Sequence, residues 1–185
     1  MTPEDLGWND AFAKEWEACR GTAKGWVPAR LIRDNKISYG ALTGEGEELE
    51  VVMCGKIYHD AKTDAELPAV GDWVALEVGN VDNEHVIRAR LPRQNALSRK
   101  MSGRSTEEQV IVANIDVAVV VTDAGPDFNL RRMERYFAII GRSRAKAVVL
   151  VNKADLFSAG QNQAAVEAIQ ELNPEADVHL TSVIK

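Results

Sequence analysis

The chain has 185 residues, 45% hydrophobic and 27% charged, with a formal net charge of −6 at pH 7. That composition excludes a disordered or fibrous chain and leaves room for one large or two small domains, while the acidic balance excludes a uniformly basic nucleic-acid wrapper. Cys19 and Cys54 lie too far apart for a ligand pair or a disulfide framework, and no apolar run reaches the ~18 residues of a membrane span, so the expectation is a cytoplasmic protein with no membrane partner.

Trp8, Phe12 and Trp16 recur at helical spacing and predict a helix over 3–20, inside an N-terminal extension 1–25 whose aromatic stripe docks on its own domain. From 26 to 91 the pattern shifts to short β-like pieces at 26–34, 37–43, 50–58, 72–79 and 84–91. Turn residues divide them: Asp34-Asn35, Gly44 and Gly46, Pro68 with Gly71-Asp72, and Asn80 to Asn83. Five short strands fit an OB-type five-stranded barrel, a common oligonucleotide-binding scaffold, with an SH3-like barrel as the structural competitor. Residues 92–109 then read as a linker. Arg88, Arg90, Arg93, Arg99, Lys100 and Arg104 are all positive, with no acid between Glu84 and Glu107. On an acidic chain this local reversal suits RNA phosphates, with a solvated connector as the bland alternative.

Residues 110–185 read as an α/β domain. The apolar, β-branched run Ile115–Val121 looks like a strand buried on both faces. A helix follows at 129–142, with Leu130, Met133, Phe137 and Ile140 on one face and Arg131, Arg132 and Arg135 on another. Strand 147–151, helix 161–172 and strand 177–181 complete a β-α-β-α-β order, which implies a parallel sheet with crossover helices. Strand 147–151 leads into Asn152-Lys153-Ala154-Asp155. A loop at the carboxyl end of a parallel strand is where such sheets bind nucleotides. An Asp155 carboxylate can accept from guanine N1–H and the 2-amine, both absent from adenine; the Lys153 stem can lie along the base, and Asn152 can tie the loop to its neighbours. As a bare pattern Asn-Lys-x-Asp is weak, and a structural loop cap is the competing reading. His59, His85 and His179 are isolated and carry no catalytic reading.

A GTP site also needs a phosphate cradle, Gly-x4-Gly-Lys-Ser/Thr between strand and helix. None occurs: Gly55-Lys56 precedes Ile57, with the flanks of a barrel strand, and Gly44-Glu45-Gly46-Glu47 is acidic. Either the base-reading pattern is accidental or the order is permuted, with the cradle after it.

Taken in order, Leu6-Gly7-Trp8-Asn9, Ala69-Val70-Gly71-Asp72-Trp73-Val74, Leu91-Pro92-Arg93-Gln94 with Ser98-Arg99-Lys100, the stretch 108–116, the stretch 127–136 and Val149-Leu150-Val151-Asn152-Lys153-Ala154-Asp155-Leu156 resemble the circularly permuted GTPases of the RsgA or YjeQ type, which help mature the small ribosomal subunit. The resemblance covers essentially the whole chain. It implies an OB barrel, then a partial GTPase domain whose base-reading motifs precede the phosphate loop. It also implies a guanine-binding set of Asn152, Lys153, Ala154 and Asp155 with Ser182 and Val183, where Val183 replaces the usual small residue. The cofactors it implies are GTP/GDP, Mg²⁺ held with the nucleotide by ligands beyond Lys185, and zinc only in a further C-terminal domain. The partners are the 30S subunit and its 16S rRNA. The parent is expected to hydrolyse GTP as a monomer; these 185 residues alone are expected to be inactive, and able to self-associate through an exposed sheet. The alternative is a non-enzymatic OB-fold RNA-binding module with an accessory α/β domain. An α/β enzyme acting on a small molecule ranks last, for want of a paired nucleophile and base.

Overall fold

The computed structural model describes residues 2–20, 25–79, 84–100 and 108–183, with the side chains of Arg20 and Lys100 excepted; the predicted turn at Asn80 to Asn83 lies outside them. The chain divides into two compact units, Met1–Asn114 and Ile115–Lys185.

In the first unit the N-terminal helix is interrupted where one continuous helix was expected. A single 3-10 turn, Glu4–Leu6, ends at Gly7, whose φ of 83° is left-handed. The Asn9 side chain then accepts from the N–H groups of Ala11 and Phe12 and starts α1 (Asp10–Arg20). The aromatic stripe docks on the outside of the barrel as expected, Trp8 meeting Trp73 edge-on with ring centres 4.6 Å apart.

The barrel strands are β1 (Trp26–Asp34), β2 (Tyr39–Thr43), β3 (Glu48–Met53), β4 (Trp73–Glu77) and β5 (His85–Arg90), closed in the order β1-β2-β3-β5-β4. A parallel β3–β5 pair among antiparallel neighbours gives the OB arrangement. Ala29, Leu31, Ala41, Val51, Val74, Leu76 and Ile87 fill the interior. β4 is buried on both faces: Val74 and Leu76 point inward while Trp73 and Ala75 lie under α1. The predicted strand 50–58 is shorter than expected. The ladder ends with the Cys54 N–H donating to the Ile87 carbonyl, and the chain turns into the short helix α2 (Gly55–Asp60), whose Ile57 packs against the interior cluster.

The stretch 92–109 is not a plain linker. β6 (Ala96–Lys100) pairs antiparallel with β7 (Glu108–Ala113), and the first unit runs to Asn114, past the boundary expected at 109. The hairpin is fastened to the barrel by the Ala113 N–H donating to the Val70 carbonyl at 2.8 Å and the Asn114 amide donating to the Gly71 carbonyl at 3.0 Å. A Cβ on Gly71 would stand 2.0 Å from the Ala113 carbonyl oxygen, and its φ is +88°, so only glycine fits that approach.

The second unit is a parallel sheet ordered β10-β9-β8, from β8 (Val117–Asp123), β9 (Lys146–Asn152) and β10 (Asp177–Leu180). Helices α3 (Leu130–Ser143) and α4 (Ala159–Leu172) connect them. Asn129 caps α3, and Ser158 with Gln161 forms a capping box on α4. Met133, Ala165 and Ile169 from the helices meet Val149 and Val151 on one sheet face. The expectation that Val117–Val121 is buried on both faces fails. Both helices pack on the same side, and Val117, Val119 and Val121 on the other are 47%, 54% and 62% exposed.

This face assignment predicts a contrast. Val149→Thr, at a fully buried position, should cost about 1–3 kcal/mol by stranding a hydroxyl in the core. Val119→Thr should stay within about 0.5 kcal/mol. Denaturant unfolding of the two variants measures both.

Candidate functional site

Three loops at the carboxyl ends of β8, β9 and β10 build the site. β9 ends at Asn152, and Lys153 takes a left-handed conformation, φ 57°, that turns the chain into a 3-10 turn over Ala154–Leu156. From below, the Asn162 amide on α4 donates to the Ala154 carbonyl at 2.8 Å and to the Phe157 carbonyl at 3.3 Å. The Asn162 Oδ1 is buried and has no hydrogen-bond partner among the described residues.

The loop after β10 is stitched to this turn. The Thr181 N–H donates to the Val151 carbonyl, and the Ala154 N–H donates to the Thr181 carbonyl at 3.0 Å. The Thr181 hydroxyl reaches Asn152 Oδ1 at 3.3 Å, and the Ser182 hydroxyl donates to the Asp155 carboxylate. The structure therefore brings Asn152, Lys153, Ala154, Asp155 and Ser182 together, with Asp155 and Ser182 exposed to a ligand; the Val183 side chain points to solvent, 88% exposed.

On the other side, Lys153 Nζ lies 3.0 Å from Asp123 Oδ2 at the end of β8. The Lys153 hydrogen bond, followed by the Gly125 N–H on the other oxygen, holds the Asp123 carboxyl below its ordinary range. Val121, Thr122, Asp123, Asp127, Arg132, Asn152 and Lys153 line a cavity of about 260 Å³ there. Asp123 and Asn162 were missed in the sequence. The only available signal was that a polar residue closes each strand or opens the following helix.

The basic set behaves differently from its sequence reading. Arg93 meets both Asp72 carboxylate oxygens at 2.7 Å and donates to the carbonyls of Ala65 and Leu67. Asp72 is fully buried and the Arg93 side chain is 12% exposed. Arg93 is thus a barrel-closing residue and not a free phosphate ligand. Arg88 is paired with Glu77. Arg90 is half-buried against the carbonyls of Glu66 and Leu91, where burial and then the Arg93 charge lower its guanidinium from the ordinary value. Arg99 stands on β6 beside Gln109, at a cavity of about 480 Å³ that also takes Asp34, Tyr39 and Asp64. Arg104 and the Lys100 side chain lie outside the described residues. On α3, Arg131, Arg132 and Arg135 are exposed, and Arg132 donates to the Asp127 carbonyl at 3.2 Å. No group of three His, Cys, Asp or Glu side chains placed to hold a metal ion occurs among the described residues. No helix among them is long and apolar enough to cross a membrane.

Arg93→Ala should cost about 3–5 kcal/mol, because it leaves a buried carboxylate unpaired. Arg93→Lys should recover only part of that, since an ammonium cannot reproduce the bidentate fork. Thermal or urea unfolding reads both.

Residues 90–183 match the family model described as RsgA GTPase. The chain is 38% identical over 164 residues to the small ribosomal subunit biogenesis GTPase RsgA of Opitutus terrae, covering 84% of this chain and 44% of that protein. It is 37% identical over 177 residues to the protein of the same name from Syntrophotalea carbinolica, covering 91% and 47%. The chain spans about half the length of the curated relatives it matches. Among solved structures, YjeQ from Thermotoga maritima aligns with a TM-score of 0.62 at 21% identity over 85% of this chain and 52% of its own. YloQ, described as a circularly permuted GTPase, aligns with a TM-score of 0.59 at 24% identity over the same shares. Both share the fold of this chain.

Proposed function

Because this chain belongs to the RsgA GTPase family, we propose that it is the RNA-docking and base-reading part of a circularly permuted, cytoplasmic GTPase that assists maturation of the small ribosomal subunit. The observation that carries this reading is the stitched pair of loops after β9 and β10, in which the Ser182 hydroxyl orients the Asp155 carboxylate.

An oriented carboxylate accepts two hydrogen bonds from guanine, N1–H and the 2-amine. Adenine offers neither and would leave the acceptor unpaired, which discriminates strongly. Lys153 supplies an apolar stem against the base face. Asn152, tied to Thr181, keeps the two loops in register, and the backbone at Ser182 and Val183 faces the guanine carbonyl. Mg²⁺ arrives with the nucleotide phosphates. Phosphoryl transfer needs a phosphate cradle and metal ligands, and residues 1–185 contain no Gly-x4-Gly-Lys-Ser/Thr. Hydrolysis is therefore an activity of the parent protein, and these residues by themselves select the base without turning over GTP.

Asp155→Asn in a parent-length protein should lower guanine nucleotide affinity about 10–100-fold and favour xanthine nucleotide, whose ring presents the complementary group. Competition binding against both measures the shift, and unchanged guanine selectivity would refute the reading. It would favour the non-enzymatic RNA-binding module, for which the closed OB barrel is the supporting observation.

For the ribosomal partner, the barrel unit meets 16S rRNA through Arg99 with Lys100 and Arg104, since Arg93 is committed to Asp72. Arg99→Ala should weaken binding to small subunits and lower the slope of log affinity against log salt by about 1. An unchanged slope removes Arg99 from the contact.

A further inference from the structure

Asp123 belongs to neither the base-reading motif nor the basic set, yet the surrounding loop is moulded around it. Its Oδ2 lies 3.0 Å from Lys153 Nζ, and its Oδ1 accepts from the Gly125 N–H at 3.0 Å. Both oxygens are thus engaged, and the carboxylate has one orientation. A Cβ on Gly125 would stand 3.0 Å from Asp123 Oδ1 and 2.8 Å from the Phe157 ring. The turn after β8 thus fits only a small residue between that carboxylate and the segment that follows the base loop. Lys153 leaves a left-handed backbone position, φ 57°, and its side chain reaches from the end of β9 to the end of β8 along the cavity shared with Asn152.

A free lysine stem samples many rotamers, and a base that packs on it has to order it. We propose that Asp123 is a positioning residue for nucleotide recognition: its carboxylate anchors the Lys153 ammonium, so that the lysine stem stands as a preformed wall of the base site. This rests on the guanine reading of the loop but adds a residue outside the motif. Asp123 itself touches no base. It acts through Lys153 alone, so its effect vanishes when Lys153 carries no charge. As a partly exposed ion pair, 57% and 24% on the two side chains, it should change base affinity by about two- to fivefold.

The test uses the 185-residue chain titrated with guanosine and with adenosine, followed by NMR shifts, in the wild type, Asp123→Asn, Lys153→Met and the double variant. Asp123→Asn keeps an acceptor for the Gly125 N–H and removes only the charge, so the turn is retained. The expected result is guanosine affinity lowered by about two- to fivefold in Asp123→Asn, with no further loss on adding Asp123→Asn to Lys153→Met. A second measurement, the acylation rate of Lys153 by an activated ester read by mass spectrometry, should rise in Asp123→Asn. An unchanged acylation rate overturns the anchor. A raised rate with unchanged guanosine affinity, or equal losses in both backgrounds, overturns the positioning role while the guanine reading stands. A wild type that binds guanosine no better than adenosine overturns the guanine reading, and the positioning role with it.

Discussion

The Asp72 carboxylate has no contact with solvent, and its burial is offset by the Arg93 guanidinium, which meets both of its oxygens, and by the Ala69 N–H, which donates to Oδ2 at 2.8 Å. Much of the first unit's layout follows from that pair. Asp72 sits in the turn that enters β4, and Arg93 follows the strand β5 that pairs with it, so the ion pair clamps the two ends of the barrel's most buried hairpin. The remaining Arg93 donors hold the Ala65–Leu67 stretch. The adjacent Gly71 admits the end of β7 at a distance no side chain would permit. The barrel and the β6–β7 hairpin therefore form one body, and the cations left over for a partner are those that this clamp does not consume.

In the second unit the governing constraint is direction. Parallel strands place the carboxyl ends of β8, β9 and β10 side by side, and residues from all three gather there: Asp123, the 152–156 turn, and Thr181 with Ser182. Backbone hydrogen bonds continue from the sheet into the loops through Thr181 and Ala154, so the side chains of the 152–155 turn are mounted on paired backbone. The apolar face of Val117 and Val119 lies away from both helices, while Val121 at the end of that face borders the cavity beside Asp123 and Lys153.

Local patterns carried much of this. Alternation and turn residues located the barrel strands, helical spacing put Trp8, Phe12 and Trp16 on one docking face, and the apolar run before Asn152 marked the strand that carries the Asn152–Asp155 loop. The failures share a cause. Residues 96–100 carry charge and polarity that read as linker, yet they form β6, because pairing with β7 depends on partners 8 to 17 residues away. Gly55–Tyr58 read as the end of a strand and belongs to the helix Gly55–Asp60, which brings Ile57 against the barrel interior. Arg93 read as a phosphate ligand because sequence displays a charge without its counter-charge; Asp72 is 21 residues upstream.

By itself, then, the sequence determined the two-part β and α/β organisation, the order of its elements and the Asn152-Lys153-Ala154-Asp155 pattern at the end of a strand, since these depend on local periodicity and on chemistry carried by neighbouring positions. Only the tertiary structure decided which charges are spent inside the molecule, which sheet face the helices cover, and that Asp123, Thr181 and Asn162 hydrogen-bond to the 152–155 loop. Those outcomes depend on which distant groups end within hydrogen-bond reach, and that distance exists only once the chain is folded.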